Sequence, residues 1–333
     1  MVKKNKKISW GVLSTARIGV QKVIPAMQKG KYSEITAISS RKIKTAQKAA
    51  RELGIPKAYG SYEEVLRDKE IDAVYIPLPN HLHVEWTIKS LKAGKHVLCE
   101  KPIGLNSKEA VYLKKQVSRF PTLKVMEAFM YRHHPQWNKI KGLINNGDIG
   151  QLKTVHSIFS YYNVNPKDIR NQPDIGGGGL LDIGCYCISV SRLLFNSEPE
   201  KVCGSVEYDT KLKTDRLASG VLRFRNGIAT FTCSTQLTSY QHVSVFGTEG
   251  RIEIETPFTP MPDQSSKITL YNGGKIKEIV FKPCNQYTIQ GDLFSQAILN
   301  DSEVYTPLED GVANMKVIDG VIKSSEKKAW INF

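Results

Sequence analysis

The chain has 333 residues, enough for two domains at roughly 100–200 residues each. Its composition, 41% apolar, 9% aromatic and 24% charged, excludes collagen-like, coiled-coil and disordered classes. Charge is divided unevenly: residues 1–130 carry 25 Lys and Arg against 11 Asp and Glu, a balance of +14, whereas residues 131–333 carry 22 against 21.

A basic half calls for an anionic partner. The finger, RNP-type and basic-zipper signatures of nucleic-acid modules are missing, as are interleaved aromatics, so an anionic cofactor fits better than DNA or RNA. No apolar run approaches the ~20 residues of a membrane span. The opening MVKKNKK has no apolar core behind it and is not read as a secretory signal; Lys3, Lys4, Lys6 and Lys7 read as a solvated tail. Six scattered cysteines do not form a disulfide framework, and reduced thiols point to a cytoplasmic protein.

Residues 8–13 read as a buried strand, followed by a helix over 16–29. The alternation continues: a strand over 34–40, a helix over 45–53, and a short helix to Asp68 capped by Ser61 with Glu64. A doubly buried strand follows over 71–78, then a helix over 83–93 stopped by Gly94. A strand over 96–100, a helix capped by Asn106 and running to Arg119, and a strand over 123–129 complete a doubly wound parallel α/β sheet over residues 1–128.

Beyond that the rhythm changes. A helix over 135–145, a strand over 152–163 and a helix over 180–194 precede strands over 202–208, 217–224, 228–235, 242–246, 252–255, 268–271 and 276–281, with hairpin turns at Arg225-Asn226-Gly227 and Asn272-Gly273-Gly274. Residues 129–333 therefore read as a second, α+β domain with a mainly antiparallel sheet, closed by a helix over 310–326.

Four motifs carry chemistry. In Gly11-Val12-Leu13-Ser14-Thr15-Ala16-Arg17-Ile18-Gly19, Gly11 stands for the first glycine of a dinucleotide turn, and Ser14 and Ala16 replace the other two with small residues. Ser40, Arg41 and Lys42 follow the second strand, and no acid stands at 39–44; small hydroxyls and a guanidinium suit a 2′-phosphate, so NADP is expected, with NAD as the alternative. Glu100-Lys101-Pro102 ends a buried strand, where a lysine can donate to a substrate oxygen and lower the pKa of a nearby hydroxyl. The run Gly176 to Gly179 feeds a helix in which Asp182 and Tyr186, four apart, share a face; with lysine they would make a proton-transfer and orienting set.

No metal is expected. Cys185 and Cys187 are two apart on a helix and face different ways, and His81 and His83 have no partner at ligand spacing.

These motifs, with Pro79-Asn80 and His83 and the stretch Glu127 to Gln136, together resemble the glucose-fructose oxidoreductase / inositol dehydrogenase / MocA family along essentially the whole chain. The resemblance implies an NAD(P)-binding Rossmann domain and a hydride transfer to or from a hydroxyl or carbonyl carbon, usually of a sugar. It implies that Lys101 is the catalytic lysine, that Pro102 follows a cis peptide, and that Tyr186 gives or takes the proton while Asp182 binds substrate. On this reading Gly11, Ser14, Thr15, Ala16, Arg17, Ile18, Ser40, Arg41, Lys42, Pro79, Asn80, His83, Glu100 and Lys101 surround the cofactor, and Arg132, Asp182 and Tyr186 the substrate. Alternatives within the family are a dihydrodiol dehydrogenase, a nucleotide-sugar ketoreductase or a non-enzymatic NADP-binding sensor. Family members usually cover the free face of the second sheet with another subunit, so a homodimer or homotetramer is expected.

Overall fold

The computed structural model describes residues 6–333. Lys3 and Lys4 of the basic tail lie outside the described residues; Lys6 and Lys7 are exposed. The chain divides into two compact units, Met1–His133 with Asn285–Val312, and His134–Cys284 with Ala313–Phe333. The division expected between residues 128 and 129 thus moves to His133/His134, and a later segment returns to the first unit.

The first unit is a six-stranded sheet in the order β3-β2-β1-β4-β5-β6, every pair parallel. Its strands are β1 (Ile8–Leu13), β2 (Ser33–Ser39), β3 (Lys57–Tyr59), β4 (Ala73–Ile76), β5 (His96–Cys99) and β6 (Val125–Glu127). The three-residue β3 was not expected, because so short a segment shows no periodicity. Helices α1 (17–27), α2 (Ile43–Leu53), α3 (Tyr62–Arg67), α4 (His83–Lys92) and α5 (Ser107–Val117) join the strands. The strand order reverses direction between β1 and β4, and ligands of open α/β sheets bind outside the carboxyl ends at such a point.

Helix α8 (Gln286–Leu299) was not expected either. It belongs to the first unit: Trp10 Nε1 donates to Ser295 Oγ at 3.1 Å, and Asp292 accepts from the backbone N–H groups of Lys31 and Tyr32 at 2.9 and 3.0 Å. Gly291 breaks its apolar stripe, and Met27 packs where a side chain would stand.

The second unit is a nine-stranded sheet in the order β14-β13-β12-β11-β7-β10-β9-β8-β15, antiparallel except for the β7/β10 pair. Its strands are β7 (Leu152–Tyr162), β8 (Lys201–Tyr208), β9 (Asp215–Phe224), β10 (Gly227–Ser234), β11 (Gln236–Gly247), β12 (Gly250–Ile254), β13 (Ser266–Asn272), β14 (Lys275–Phe281) and β15 (Ile331–Asn332). One face carries buried Val155, Phe231, Cys233 and Val243; the alternate positions, among them His156, Ile158, Thr230, Thr232 and His242, line a shallow concavity of about 550 Å³ on the other face.

Helix α6 (Pro135–Asn145) opens this unit. Helix α7 (180–195) begins with a π-helical turn, Leu180–Gly184, and continues as α-helix over Cys185–Phe195. The stretch Pro173–Phe195 is long and apolar enough to span a bilayer, contrary to the sequence reading, but 78% of its most apolar window is buried in the fold. Helix α9 (Leu308–Lys327) begins in the first unit and ends in the second. No disulfide joins the cysteines among the described residues.

Candidate functional site

In the first unit the dinucleotide motif keeps its turn but not its expected assignment. Gly11 lies inside β1, where a Cβ would overlap Val65 of α3; its glycine serves strand-on-helix packing, not the turn. The turn is made by Ser14, whose φ of 136° is one that L side chains rarely adopt. Its hydroxyl donates to Pro77 O at 3.3 Å and accepts from Ala16 N at 3.1 Å, tying the carboxyl ends of β1 and β4 together at the switch point. Thr15 and Ile18 are part-buried, Arg17 is exposed, and helix α1 starts at residue 17. Its N–H groups are therefore placed as in a dinucleotide-binding turn.

At the end of β2, Ser39 is buried and donates to Val12 O at 2.9 Å, whereas Ser40 is part-exposed and Arg41 and Lys42 are exposed. No carboxylate stands among residues 39–44. A positive-φ turn before a helix and an acid-free Ser-Arg-Lys loop fit a nicotinamide dinucleotide with a 2′-phosphate.

Lys101 follows β5, and the Lys101–Pro102 peptide is cis. Three bonds from other elements hold this turn. Buried Tyr75 on β4 donates to Glu100 Oε1 at 2.7 Å. Pro102 O lies 2.7 Å from His83 Nδ1, and the backbone N–H of Ile103 donates to Glu127 Oε1 at 2.7 Å.

His83 corrects an expectation. Its other nitrogen lies 2.8 Å from Leu78 O, so the buried ring is set between two carbonyls, donates to one of them when neutral, and offers neither nitrogen to a cofactor. Burial pulls its pKa down to about 4 against the pull of those carbonyls. The ring is neutral at pH 7 and joins the loops after β4 and β5. Pro79 and Asn80 are both part-exposed in the same loop.

Arg132 is a second correction. It is 7% exposed, and its Nη2 pairs with Asp310 at 2.9 and 3.1 Å. Burial opposes its charge, but Tyr131 and Asp310 outweigh that and keep it protonated. Its side chain is held by this ion pair.

In the second unit, Tyr186 is 5% exposed and packs edge-on against Phe159 and Phe258, with centroids at 5.7 and 5.6 Å. Asp182 sits in the π turn. Its Oδ2 accepts from Tyr161 OH at 2.6 Å and from Arg170 Nε at 3.0 Å. Burial and the adjacent Asp182 raise the Tyr161 phenol, so Tyr161 stays a donor; Asp182 holds Arg170 protonated.

The glycine run has an unexpected partner. The Asp215 carboxylate at the start of β9 accepts from Leu180 N at 2.6 Å and from Gly179 N. Gly178 has a φ of +121°, and a Cβ there would overlap Asp215 Oδ1. A Cβ on Gly177 would stand 2.6 Å from Arg170 O. The glycines therefore wrap a protein carboxylate and a loop carbonyl, and Asp215 anchors the N-terminus of α7. Burial pushes the Asp215 carboxyl up to about 6.

Sequence reasoning missed Asp215, Arg170 and Tyr161. The run of glycines announces a close approach without naming its partner, and Asn163, Asn165, Asp168 and Asn171 announce a turn-stapled loop around Arg170.

Comparison with known proteins agrees with this architecture. The oxidoreductase-family model with an NAD-binding Rossmann fold matches residues 8–123, and the GFO/IDH/MocA C-terminal domain model matches residues 137–253. An uncharacterised oxidoreductase of Rhizobium meliloti is 42% identical over 97% of this chain and 98% of its own length. D-xylose 1-dehydrogenase (NADP(+)) 2 of Haloferax volcanii is 36% identical, again over 97% and 98%. The crystal structure of a 3-ketoreductase from Actinomadura kijaniata in complex with NADP and TDP-benzene superposes with a TM-score of 0.90, at 28% identity, over 96% of this chain and 98% of that one.

Proposed function

Because the chain belongs to the GFO/IDH/MocA family of NAD(P)-dependent oxidoreductases, we propose that it is an NADP-dependent enzyme acting at a hydroxyl or carbonyl carbon of a sugar or related polyol. The observation that carries this reading is Lys101 at the carboxyl end of β5, on a turn held by Tyr75, His83 and Glu127. The acid-free Ser40-Arg41-Lys42 loop supports NADP over NAD, as does the similarity to an NADP-dependent xylose dehydrogenase.

The chemistry that a bound nicotinamide supplies is hydride transfer. Ser14 to Ile18 would hold its pyrophosphate by backbone N–H groups at the start of α1, and Ser40, Arg41 and Lys42 would hold the 2′-phosphate. Pro79, Asn80 and Glu100 would border its nicotinamide end. Lys101 donates to the reacting oxygen of the substrate and stabilises the negative charge that develops there. Tyr186 gives its phenolic proton to that oxygen in reduction and takes it back in oxidation. Asp182, fixed by Tyr161 and Arg170, accepts from a substrate hydroxyl and orients the reacting carbon.

A nucleotide-sugar ketoreductase is the second reading, favoured by the similarity to the 3-ketoreductase over nearly the full chain. A second copy on the concave face of the nine-stranded sheet would make the protein a homodimer or homotetramer, in keeping with a cytoplasmic enzyme; light scattering that returns only a monomer removes this part.

The first test is a fluorescence titration with NADPH and NADH. Tight NADPH and weak NADH are expected, and binding of neither overturns the function. Lys101→Met is expected to abolish turnover while sparing NADPH binding; a variant retaining most of its kcat overturns the role of the lysine.

A further inference from the structure

The segment 163–179 has no strand and only two short 3-10 turns, Ile169–Asn171 and Pro173–Ile175, yet it is stapled along its length. Asn163 Nδ2 donates to Asp168 Oδ2 at 3.0 Å, and Asn165 Oδ1 accepts from Lys167 N at 3.1 Å. Buried Asn171 donates to the carbonyls of Asn165 and Asn163 at 2.9 and 3.2 Å. Asp168 accepts from Arg170 N at 3.0 Å, and Arg170 O accepts from Gly178 N at 2.8 Å. Arg170 lies inside this network, with both its N–H and its carbonyl bonded, so its backbone is fixed in advance of any ligand.

The guanidinium is fixed as well. Nε donates to Asp182 Oδ2 at 3.0 Å, and Nη1 faces Asp168 Oδ1 at 3.4 Å. Nη2 makes no hydrogen bond among the described residues, and the side chain is 41% exposed where its partner Asp182 is 13% exposed. A pair that served only to neutralise Asp182 would have no need of an open edge, since Tyr161 already donates to the same oxygen at 2.6 Å. Two-point capture of a carboxylate or phosphate needs two parallel N–H groups. Here Nε and one N–H of Nη1 face protein carboxylates, the Nη2 edge remains open, and two carboxylates flank a single positive charge.

We infer that Arg170 is a specificity-determining residue whose Nη2 donates to an uncharged hydroxyl or carbonyl oxygen of the substrate, next to the group that Asp182 holds, so that neutral polyols are preferred to sugar acids and sugar phosphates at that position. The inference rests on the sugar or polyol reading above and narrows it. The Nη2 amino group reads the presence of an oxygen, and the flanking Asp168 and Asp182, two negative charges against one positive, disfavour an anion.

The test uses the wild-type enzyme with Arg170→Met, Arg170→Lys and Asp168→Asn. NADPH titration and thermal melting identify any variant that has lost its fold. Steady-state rates are measured with whichever of D-xylose, D-glucose and myo-inositol the wild type turns over, then with the monodeoxy analogues of that compound, and with D-glucuronate and D-glucose 6-phosphate.

For the wild type, kcat/KM is expected to fall about 10- to 100-fold for one monodeoxy analogue. Arg170→Met is expected to lose that factor on the parent compound, chiefly in KM, and to treat parent and analogue alike. Arg170→Lys is expected to recover part of the discrimination. Asp168→Asn, which removes one of the two negative charges beside Arg170, is expected to improve the two anionic sugars relative to the neutral one. A deoxy penalty equal in wild type and Arg170→Met overturns the inference and leaves the sugar reading standing. A wild type that turns over none of the three parent compounds overturns both.

Discussion

The two units hold the side chains proposed for catalysis with anchors of opposite chemistry. The Lys101 turn is held in part by a neutral imidazole, His83, set between two carbonyls. The helix that carries Asp182 and Tyr186 is held at its N-terminus by a buried carboxylate, Asp215. Acid acts on these anchors with opposite sign. Burial pulls His83 down to about 4, and burial with the nearby Arg132 pulls His133, whose ring nitrogens are unpartnered, down to about 3. An imidazole depressed in the folded state contributes stability above its ordinary value near 6.5, and that contribution is lost as pH falls toward the folded value. Asp215 is raised from the ordinary 3.8 to about 6, so its contribution is complete below about 4 and is lost as pH rises through 6. Between pH 7 and pH 4 the first unit loses support from its histidines while the second gains it from Asp215. Two bonded turns can thus be built with different tolerance to acid.

The most damaging way to break the contrast is to remove the space Asp215 occupies. Gly178→Ala adds a methyl group that overlaps the carboxylate, at a φ an L residue rarely adopts. It is expected to destabilise the second unit by about 3 kcal/mol or more, seen as a lower urea midpoint and early exchange of amides in β9 and β10. A midpoint equal to wild type means that the carboxylate moves aside freely and anchors nothing.

His83→Ala attacks the other side. One of the carbonyls Leu78 O and Pro102 O loses the N–H that the neutral ring donates, the ring leaves a cavity, and a loss of about 2–4 kcal/mol is expected at pH 7. The pH dependence is the sharper readout: wild-type amides in β4 and β5 should lose protection below pH 6.5 sooner than those in β9 and β10, and the variant should lose part of that difference. Equal acid sensitivity of the two sheets in wild type removes the comparison.

Asp215→Asn tests the opposite slope. Asn keeps the shape but cannot titrate, so the gain in stability on going from pH 7 to pH 4, up to about 3 kcal/mol for a shift from 3.8 to about 6, should vanish. Stability is read from urea midpoints across that range, and an unchanged slope places the titration elsewhere.

The parallel sheet was legible from its unbroken apolar runs and from caps such as Ser61 and Asn106, whose side chains accept from Glu64 N and Glu109 N. The second sheet was legible from alternation and glycine turns. What escaped was long-range. Helix α8 lacks an amphipathic stripe and docks on strands more than two hundred residues earlier, so no local signal assigns it to the first unit. Gly11 and Ser14 exchanged duties because a motif states which residues are small and not which one turns the chain. Arg132 and His83 were read as ligand-facing from their place in the motifs; their partners, Asp310 and Pro102 O, lie outside any local pattern. The charge split was read correctly as a first half rich in basic residues, but the sequence does not reveal which of them are engaged internally.

The smallest effect bears on that last point. Arg41 is exposed at the end of β2, beside Ser40, whose backbone N–H is anchored to Tyr59 O at 3.2 Å and whose hydroxyl accepts from Lys42 N at 3.4 Å. The loop backbone is therefore set without the arginine, and Arg41→Ala should leave the fold and thermal midpoint unchanged. If the guanidinium grips a 2′-phosphate, NADPH should weaken about tenfold, about 1.4 kcal/mol, while NADH is unaffected. If both cofactors weaken together, Arg41 contributes only to the general positive field of the first unit, and the preference for NADP must come from Ser40 and Lys42. The paired titrations separate a specific contact from a diffuse one, a distinction that a net charge of +14 over residues 1–130 cannot make.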